Sequence, residues 1–444
     1  MVYGFFQNHK TIDMHIFWFR RDLRTFDNTG LHYALKQNKG VQPIFIFDKN
    51  IVEELENNDA RINFIYKHLQ KINQELKKYD SSLKVYYGNP VDVFREICRK
   101  VTVDSVYTNH DYEPYAINRD LEVKEVLRDF GVPFFTFKDQ VIFERNEVVK
   151  NDGKPYTVFT PFKNRWLLRF NETECKVNTD SNFNNLKKSN YPFPNMEDLG
   201  FSSSPIQVPE FDLNKVVDYD KTRNIPSLDS TSKIGPHLRF GTVSIREIVL
   251  KVKDVNSTYL SELIWREFFM QILWHFPHVV NQNFRAKYNG IQWRNNEEEF
   301  KKWCNGETGY PFVDAGMREL NKTGFMHNRV RMITASFLCK HLLIDWRWGE
   351  AYFAKKLLDY ELSSNNGNWQ WSAGTGCDAA PYFRVFNPSE QIKKFDKSHV
   401  YINKWIEDLN ELTYPQPMVD HPFARNRAIE TYKIGLENRV LEMA

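Results

Sequence analysis

Glu262, Trp265 and Phe269 recur at helical spacing in SELIWREFF, so one helix face can present a carboxyl beside an indole. A carboxyl that stays protonated, or shares a proton, can hydrogen-bond the edge of a ligand and stabilise charge arriving on it. The plainer reading pairs Glu262 with Arg266 at i to i+4 on a solvated face, which contributes only ~0.2–0.5 kcal/mol. Upstream, Thr231-Ser232 stand before a helical stretch. Hydroxyls and free amides at such a place suit phosphate oxygens, although capping the helix is their ordinary use. Asn365-Asn366-Gly367 is a turn signal. Gly374-Thr375-Gly376-Cys377-Asp378-Ala379 matches G-x-G-x-x-A, but it has no strand before it, and pyrophosphate binding by that motif needs one. Cys98, Cys175, Cys304, Cys339 and Cys377 are scattered without metal-ligand spacing, so no metal site and no disulfide framework is expected.

The elements that must position these residues divide the chain in two. At 444 residues the chain exceeds one compact core, and two domains are expected. From His15 to Phe137, short apolar runs (HIFWF, PIFIF, LKVYY, SVYTN, VPFFTF) alternate with amphipathic stretches such as INFIYKHLQKINQEL. That alternation predicts a doubly wound parallel α/β domain over 14–137. Residues 138–213, rich in Asn, Ser and Pro, read as a long interdomain connection. Over 214–444 apolar residues return at helical spacing, as in Leu260, Ile264, Phe268 and Ile272, which predicts an all-α domain.

Composition narrows the partners. Lys and Arg number 60 against 57 Asp and Glu, a formal charge of +3, so any nucleic-acid-binding face must be local. Aromatic residues make up 15% of the chain, enough to line a site for a large flat ligand or simply to fill a core. No basic leader with an apolar stretch and no run of about 18 apolar residues is present, so a soluble, cytoplasmic protein without a membrane partner is expected.

Longer strings carry more specific information. TSKIGPHLRFGTVS (231–244), SELIWREFF (261–269), GYPFVDAGMRELNKTGFMHNRVRMITASFLCK (309–340) and NNGNWQWSAGTGCDAAPYFRVFNP (365–388) resemble the photolyase and cryptochrome family, and within it the class I enzymes that repair cyclobutane pyrimidine dimers. FWFRRDLRTFDN (17–28) and VFTPFKNRW (158–166) are similar to the same family's first domain and connector.

The resemblance implies FAD held in the helical domain by Tyr219, Thr231, Ser232, Lys233, Ile234, Gly235, Trp265, Arg266, Tyr360 and Glu361, with Arg331 and Asp359 as an ion pair flanking the flavin ring and Asn365 facing its N5. Glu361 stands where relatives usually have Asp, and Phe325 where bacterial enzymes commonly have Trp. A lesion pocket is implied at Glu262, Trp265, Asn328, Arg329, Met332 and Trp371, and an electron relay at Trp369, Trp346 and Trp293. Arg223, Arg329, Arg384 and Gln391 match positions that meet DNA phosphates or the pocket rim. Six-four photoproduct enzymes place histidines where this chain has Asn328 and Met332, so the resemblance points to cyclobutane dimers in UV-damaged DNA as substrate.

The family often carries an antenna pigment in its first domain, a folate, a deazaflavin or a second flavin such as FMN, with Glu113 near a folate-contacting position, and an empty antenna pocket stands as the alternative; a monomer is expected. Two rival readings stand beside repair: a cryptochrome-type light sensor, and a light-independent DNA-binding protein that keeps FAD for stability.

Overall fold

The computed structural model describes residues 14–37 and 40–442. They form two compact units that are not contiguous in sequence. The first gathers the described residues up to Ile142 with Lys176–Pro205 and Phe240–Glu247, and the second takes Phe143–Cys175, Ile206–Arg239 and the chain from Ile248. The stretch expected as one connection over 138–213 is therefore shared between the units.

The first unit alternates strands and helices: β1 (Met14–Phe19), α1 (Thr29–Leu35), β2 (Val41–Asp48), α2 (Ala60–Lys77), β3 (Lys84–Gly88), α3 (Pro90–Lys100), β4 (Val103–Asn109), α4 (Pro114–Asp129) and β5 (Phe134–Phe137). All strand pairings are parallel and the sheet order is β3-β2-β1-β4-β5. β2 is buried at every position, whereas the edge strands β3 and β5 are partly exposed. This is why the central strands read as unbroken apolar runs: helices cover both faces of a parallel sheet. Helix starts are fixed by side chains that accept from orphan backbone amides. Asn28 accepts from Leu31, Asp59 from Arg61 and Asn89 from Val91.

The second unit is largely helical. Its principal elements are α5 (Phe159–Glu172), α6 (Gly235–Arg239), α7 (Ser257–His275), α8 (Pro311–Thr323), α9 (Asn328–Ser336), α10 (Trp346–Lys356), α11 (Leu362–Ala373) and α12 (His421–Glu442). α5 lies inside the stretch read as irregular. Its signal was present, since Phe162 and Trp166 stand four apart and both are buried. Glu267 of α7 locks α5 in place, accepting from Trp166 Nε1 at 2.6 Å and from the Phe143 amide at 3.0 Å. The core of this unit is aromatic, with Trp303, Phe312, Phe337, Trp346 and Tyr401 fully enclosed.

The string FWFRRDLRTFDN supplies a buried polar network in the first unit. Asn109 Nδ2 donates to Asp22 Oδ2 (2.6 Å) and Asn28 Oδ1 (2.8 Å), while its own Oδ1 accepts from the Gly30 amide (2.8 Å). A Cβ on Gly30 would stand 2.9 Å from that oxygen, so glycine is what lets α1 approach β4. Beside it, Asp139 accepts from Arg24 (2.7 Å), Arg246 (2.9 Å), the Thr29 hydroxyl (3.0 Å) and the Thr29 amide (3.1 Å). Arg246 also reaches Asp27 at 2.9 Å.

Burial alone would raise the Asp139 carboxyl, but Arg24, Arg246 and these hydrogen bonds outweigh it and hold the group well below the usual carboxylate range. A depressed folded pKa gives stability that is fully present above the unfolded value of ~3.9 and is lost as pH falls toward the folded value. Asp139→Asn is therefore expected to destabilise the first unit by about 3 kcal/mol at neutral pH, because it removes the negative charge that Arg24 and Arg246 share. It is also expected to flatten the loss of stability below about pH 4. Urea unfolding at pH 7 and pH 4 checks both; equal midpoints for the variant and the parent at pH 7 would contradict the assignment.

Candidate active site

Within the helical unit, α6, α7, α9, α10, α11 and the turn 357–361 surround a cleft of about 880 Å³, counting its open mouth. Its walls mix apolar side chains (Leu238, Ala335, Phe353, Leu357) with two opposite-charge pairs.

The first pair is Arg331 with Asp359. Arg331 Nη2 donates to both Asp359 oxygens, at 2.9 and 3.1 Å, and Nε donates to the Met326 carbonyl at 2.7 Å. Gly235 opens α6 directly against this pair. A Cβ there would stand 2.9 Å from both Cβ and Oδ2 of Asp359, so only glycine lets the α6 backbone reach the cleft. The second pair is Arg266 with Glu361, whose Nε and Oε2 are 3.2 Å apart. Glu361 is buried and begins the turn into α11. Arg266 is thus committed to Glu361, and the i to i+4 pair with Glu262 does not form.

Glu262 pairs with Arg223 instead, at 2.6 Å. Burial pushes its carboxyl up from the ordinary value, and the Arg223 charge and hydrogen bond oppose the rise. Arg223 also lies over the Tyr219 ring, 5.4 Å from its centre. Neighbouring Arg329 donates to Asn224 Oδ1 (2.6 Å), lies over the Phe395 ring (4.2 Å) and comes within 3.6 Å of Met332 Sδ. Its cap is set by His327, whose Nδ1 accepts the Arg329 amide at 3.2 Å. That geometry needs a neutral imidazole, and burial among Lys233, Arg331, Arg329 and Arg223 lowers His327 to about 4.

The structure sorts the sequence-derived residues into three groups. Gly235, Arg266, Asn328, Arg331, Met332, Asp359, Tyr360, Glu361, Asn365, Trp369 and Trp371 all line the cleft. A second group stands off it and makes protein contacts. Trp265 stacks on Phe159 at 3.6 Å and 8° and packs on Phe269. Ser232 Oγ is 2.8 Å from the Tyr259 hydroxyl, against which Tyr219 packs edge-on. Lys233, at φ +58°, places its ammonium 3.6 Å from the Phe325 ring centre. Ile234 is buried, Thr231 half-buried, and the Ile234 carbonyl accepts the Leu238 amide, so Thr231-Ser232 do not cap α6. Arg384 is exposed and Gln391 half-buried on the helix Pro388–Phe395.

The third group is the tryptophans. Trp369 faces the cleft and packs edge-on to Phe353 at 5.0 Å. A Cβ on Gly349 would fall 2.1 Å from its ring, so that glycine makes room for it. Trp346 is fully buried, with Nε1 donating to Asn283 at 2.8 Å. Trp293 is half-buried and meets Tyr432 edge-on at 5.9 Å. All three adjoin one aromatic core, stepping from the cleft wall to the partly exposed side.

The turn signal at Asn365-Asn366-Gly367 is overruled, because these residues lie inside α11. Gly367 is required there: a Cβ would lie 2.1 Å from the Phe269 ring. Asn366 donates to the Val279 carbonyl at 2.9 Å, and Asn365 donates to the Glu350 carbonyl (3.1 Å) and Glu350 Oε1 (2.9 Å). Tertiary packing thus outweighs local propensity. Gly374 of the G-x-G-x-x-A match is the left-handed cap that ends α11, at φ +85°. Sequence reasoning missed Ser364, Asn368 and Ser372, which also line the cleft. Their i, i+4, i+8 spacing on a single helix was the available signal.

Comparison with known proteins agrees with this architecture. The family model described as DNA photolyase matches residues 15–179, and the model described as the FAD binding domain of DNA photolyase matches 259–413. The deoxyribodipyrimidine photo-lyase of Vibrio cholerae is 34% identical, over 95% of this chain and 99% of its own. A bacterial class III photolyase structure from Agrobacterium tumefaciens matches with a TM-score of 0.84 at 30% identity, over 98% of this chain and 100% of that one. An archaeal photolyase structure from Sulfolobus tokodaii, solved with two FAD molecules, matches with a TM-score of 0.83 at 35% identity, over 95% and 99%. With a cleft built from the residues that the resemblance singles out and relatives aligned from end to end, the chain belongs to the photolyase and cryptochrome family.

Proposed function

We propose that this protein uses light and FAD to split cyclobutane pyrimidine dimers in UV-damaged DNA. The observation that carries the reading is convergence: the Arg331–Asp359 pair, the Asn365 amide and the lesion-type residues Asn328, Met332 and Trp371 line one cleft. FAD, when bound, supplies the light absorption and the single electron that ring opening needs, and recovers that electron afterwards.

The chain's residues supply position, charge and exclusion of water. Arg331, Asp359, Tyr360, Arg266 and Glu361 hold the cofactor, and Gly235 admits it closely. The Glu350 acceptors fix the Asn365 amide on the cleft wall. Tyr219, Thr231, Ser232, Lys233 and Ile234 contact the cofactor where the chain enters α6. Asn328, Met332 and Trp371 receive the flipped-out dimer, whose unstacking is offset by the flat indole. Glu262 hydrogen-bonds the pyrimidine edge from beside Trp265, and Arg223, Arg329, Arg384 and Gln391 hold the DNA backbone and rim. Trp293, Trp346 and Trp369 relay electrons toward the cleft. The first unit has room in this reading for a second, antenna chromophore, a folate, a deazaflavin or FMN, or for an empty antenna pocket. No helix among the described residues is long and apolar enough to cross a membrane; the protein acts as a cytoplasmic monomer.

The deciding experiment illuminates the photoreduced protein with a dimer-containing oligothymidylate and follows recovery of base absorbance. Recovery in light but not in darkness is expected, and its absence with flavin bound and reduced would favour a light sensor. Glu262→Ala is expected to slow repair about tenfold, the loss of roughly one hydrogen bond's stabilisation, with flavin content unchanged; loss of flavin instead would undo its assignment.

Arg223 opposes the burial that raises the Glu262 pKa, so Arg223→Met is expected to raise that pKa further and extend repair to higher pH at saturating DNA. An unshifted alkaline limb in the pH–rate profile would separate Glu262 protonation from repair. Gly235→Ala should displace Asp359 and lower the ratio of flavin to protein absorbance several-fold, about 1 kcal/mol or more in binding. Full flavin content in that variant would place the cofactor away from α6.

A further inference from the structure

Lys340 is a buried cation that the cleft does not use. It lies in the π-helical turn Phe337–His341, between α9 and α10, and is 1% exposed. Burial lowers its pKa to about 7, and the neighbouring Cys339 side chain works against that fall. No carboxylate among the described residues pairs with it. Taking an ammonium out of water without such a partner is costly, and an apolar side chain would fill the space at no such cost. What the lysine makes instead is three contacts with three separate parts of the chain. Its Nζ donates to the carbonyl of Ala373, the last residue of α11, at 2.7 Å, and to the Tyr382 carbonyl at 3.2 Å. It also stands 3.7 Å from the ring centre of Tyr432 on α12.

The same groups close on one another. Tyr432 is fully buried, donates its hydroxyl to the Ala373 carbonyl at 2.7 Å and stacks on the Tyr382 ring at 5.8 Å and 6°. Gly374, which ends α11, is packed beneath the returning chain. A Cβ there would stand 3.2 Å from the Ala380 carbonyl oxygen, 3.3 Å from Tyr382 Cα and 3.4 Å from Lys340 Nζ. The chain leaving α11 thus folds back over its end, and Lys340 fastens it there. Upstream, Arg285 holds the same segment through the Thr375 and Cys377 carbonyls. Tyr382 is a central residue of a turn closed by the Arg384 amide, which donates to the Pro381 carbonyl at 2.9 Å. Arg384, the fourth residue of that turn, is exposed. With Tyr382 held by both its carbonyl and its ring, the base of the Arg384 side chain is fixed relative to α11, whose Trp369 and Trp371 line the cleft.

We propose that Lys340 is a positioning residue for DNA binding: by pinning the Tyr382 carbonyl to the end of α11, it holds Arg384 where that side chain meets a backbone phosphate. This role rests on Arg384 being a DNA contact. Lys340 is too buried to touch DNA itself, so its effect must pass through the turn. The test measures, in the dark and across a range of salt, the affinity of the full-length, FAD-loaded protein for a duplex oligonucleotide carrying one thymine dimer. Each phosphate neutralised contributes ~0.9 to the slope of log affinity against log salt, and Arg384→Ala is expected to lower the slope by about that amount. Lys340→Met should lower it nearly as much, and the double variant no further than Arg384→Ala alone, because both changes remove one contact. Tyr382→Leu removes the stack on Tyr432 at a half-buried position. It should show the same lack of additivity, and it reads the pin where Lys340→Met does not fold. A purely structural lysine would lower the thermal midpoint and leave the slope as in the parent. A parental slope in Lys340→Met, or in Tyr382→Leu where that variant must stand in, would overturn the proposal, as would decrements that add in the double variant. An unchanged slope in Arg384→Ala would remove the DNA contact itself, and the role of the pin with it.

Discussion

The cleft depends on one constraint, the seating of the Arg331–Asp359 ion pair against a backbone that has no side chain. A half-buried ion pair gives up hydration, and that loss is repaid only by good geometry and further hydrogen bonds. Here Arg331 makes two bonds to Asp359 and a third to the Met326 carbonyl, so α9 and the turn after α10 are fixed to each other. Gly235 then brings α6 against the carboxylate. The same turn runs on to Glu361, which engages Arg266 of α7, and to Asn365, which engages Glu350 of α10. Two residues after the first pair, the second closes the ring of helices. The charged lining of the cleft is thereby its scaffold as well, and a change at Asp359 would propagate through three helices.

Glycine placement follows the same logic across this unit. Gly349 and Gly367 face Trp369 and Phe269, at distances no Cβ tolerates. Both substitute an aromatic ring for the missing side chain, which packs aromatic residues at helix crossings where ordinary helices would hold them apart. An aromatic content of 15% was compatible with an ordinary core. What distinguishes this one is that its rings are admitted by glycines inside α10 and α11, so that Trp369 forms cleft wall and core together.

The sheet unit was legible because its signal is local. Short apolar runs alternating with amphipathic stretches gave each strand, and the structure places them in one parallel sheet. The cleft was legible in a different way. No periodicity links Gly235, Arg331 and Asp359; they were named through likeness to a family, and three-dimensional packing brings them together. Where local rules were applied alone they failed at Asn365-Asn366-Gly367, since a strong turn signal cannot anticipate Phe269 filling the space over Gly367. They failed also at Glu262, because helical spacing finds the nearest cation, Arg266, and has no access to Arg223, thirty-nine positions upstream. α5 and the Ser364, Asn368, Ser372 stripe are different, since helical spacing pointed to both.

The Glu262–Arg223 contact ties together two roles that sequence likeness assigned separately. One carboxyl cannot both hold a guanidinium at 2.6 Å as an ion and offer a proton to a pyrimidine edge. Burial raises the carboxyl above its ordinary value, and the charge and hydrogen bond of a single partner oppose that rise. That partner is one of the cations with which a DNA backbone would compete, and a phosphate is the stronger attractor for a planar guanidinium. Without Arg223 the burial that raises the Glu262 carboxyl would stand unopposed. Arg329 is poised alike, held by the neutral amide of Asn224 and the Phe395 ring rather than by a carboxylate. Its neighbour Met332 lines the cleft, so the Arg329 guanidinium connects directly to the pocket wall.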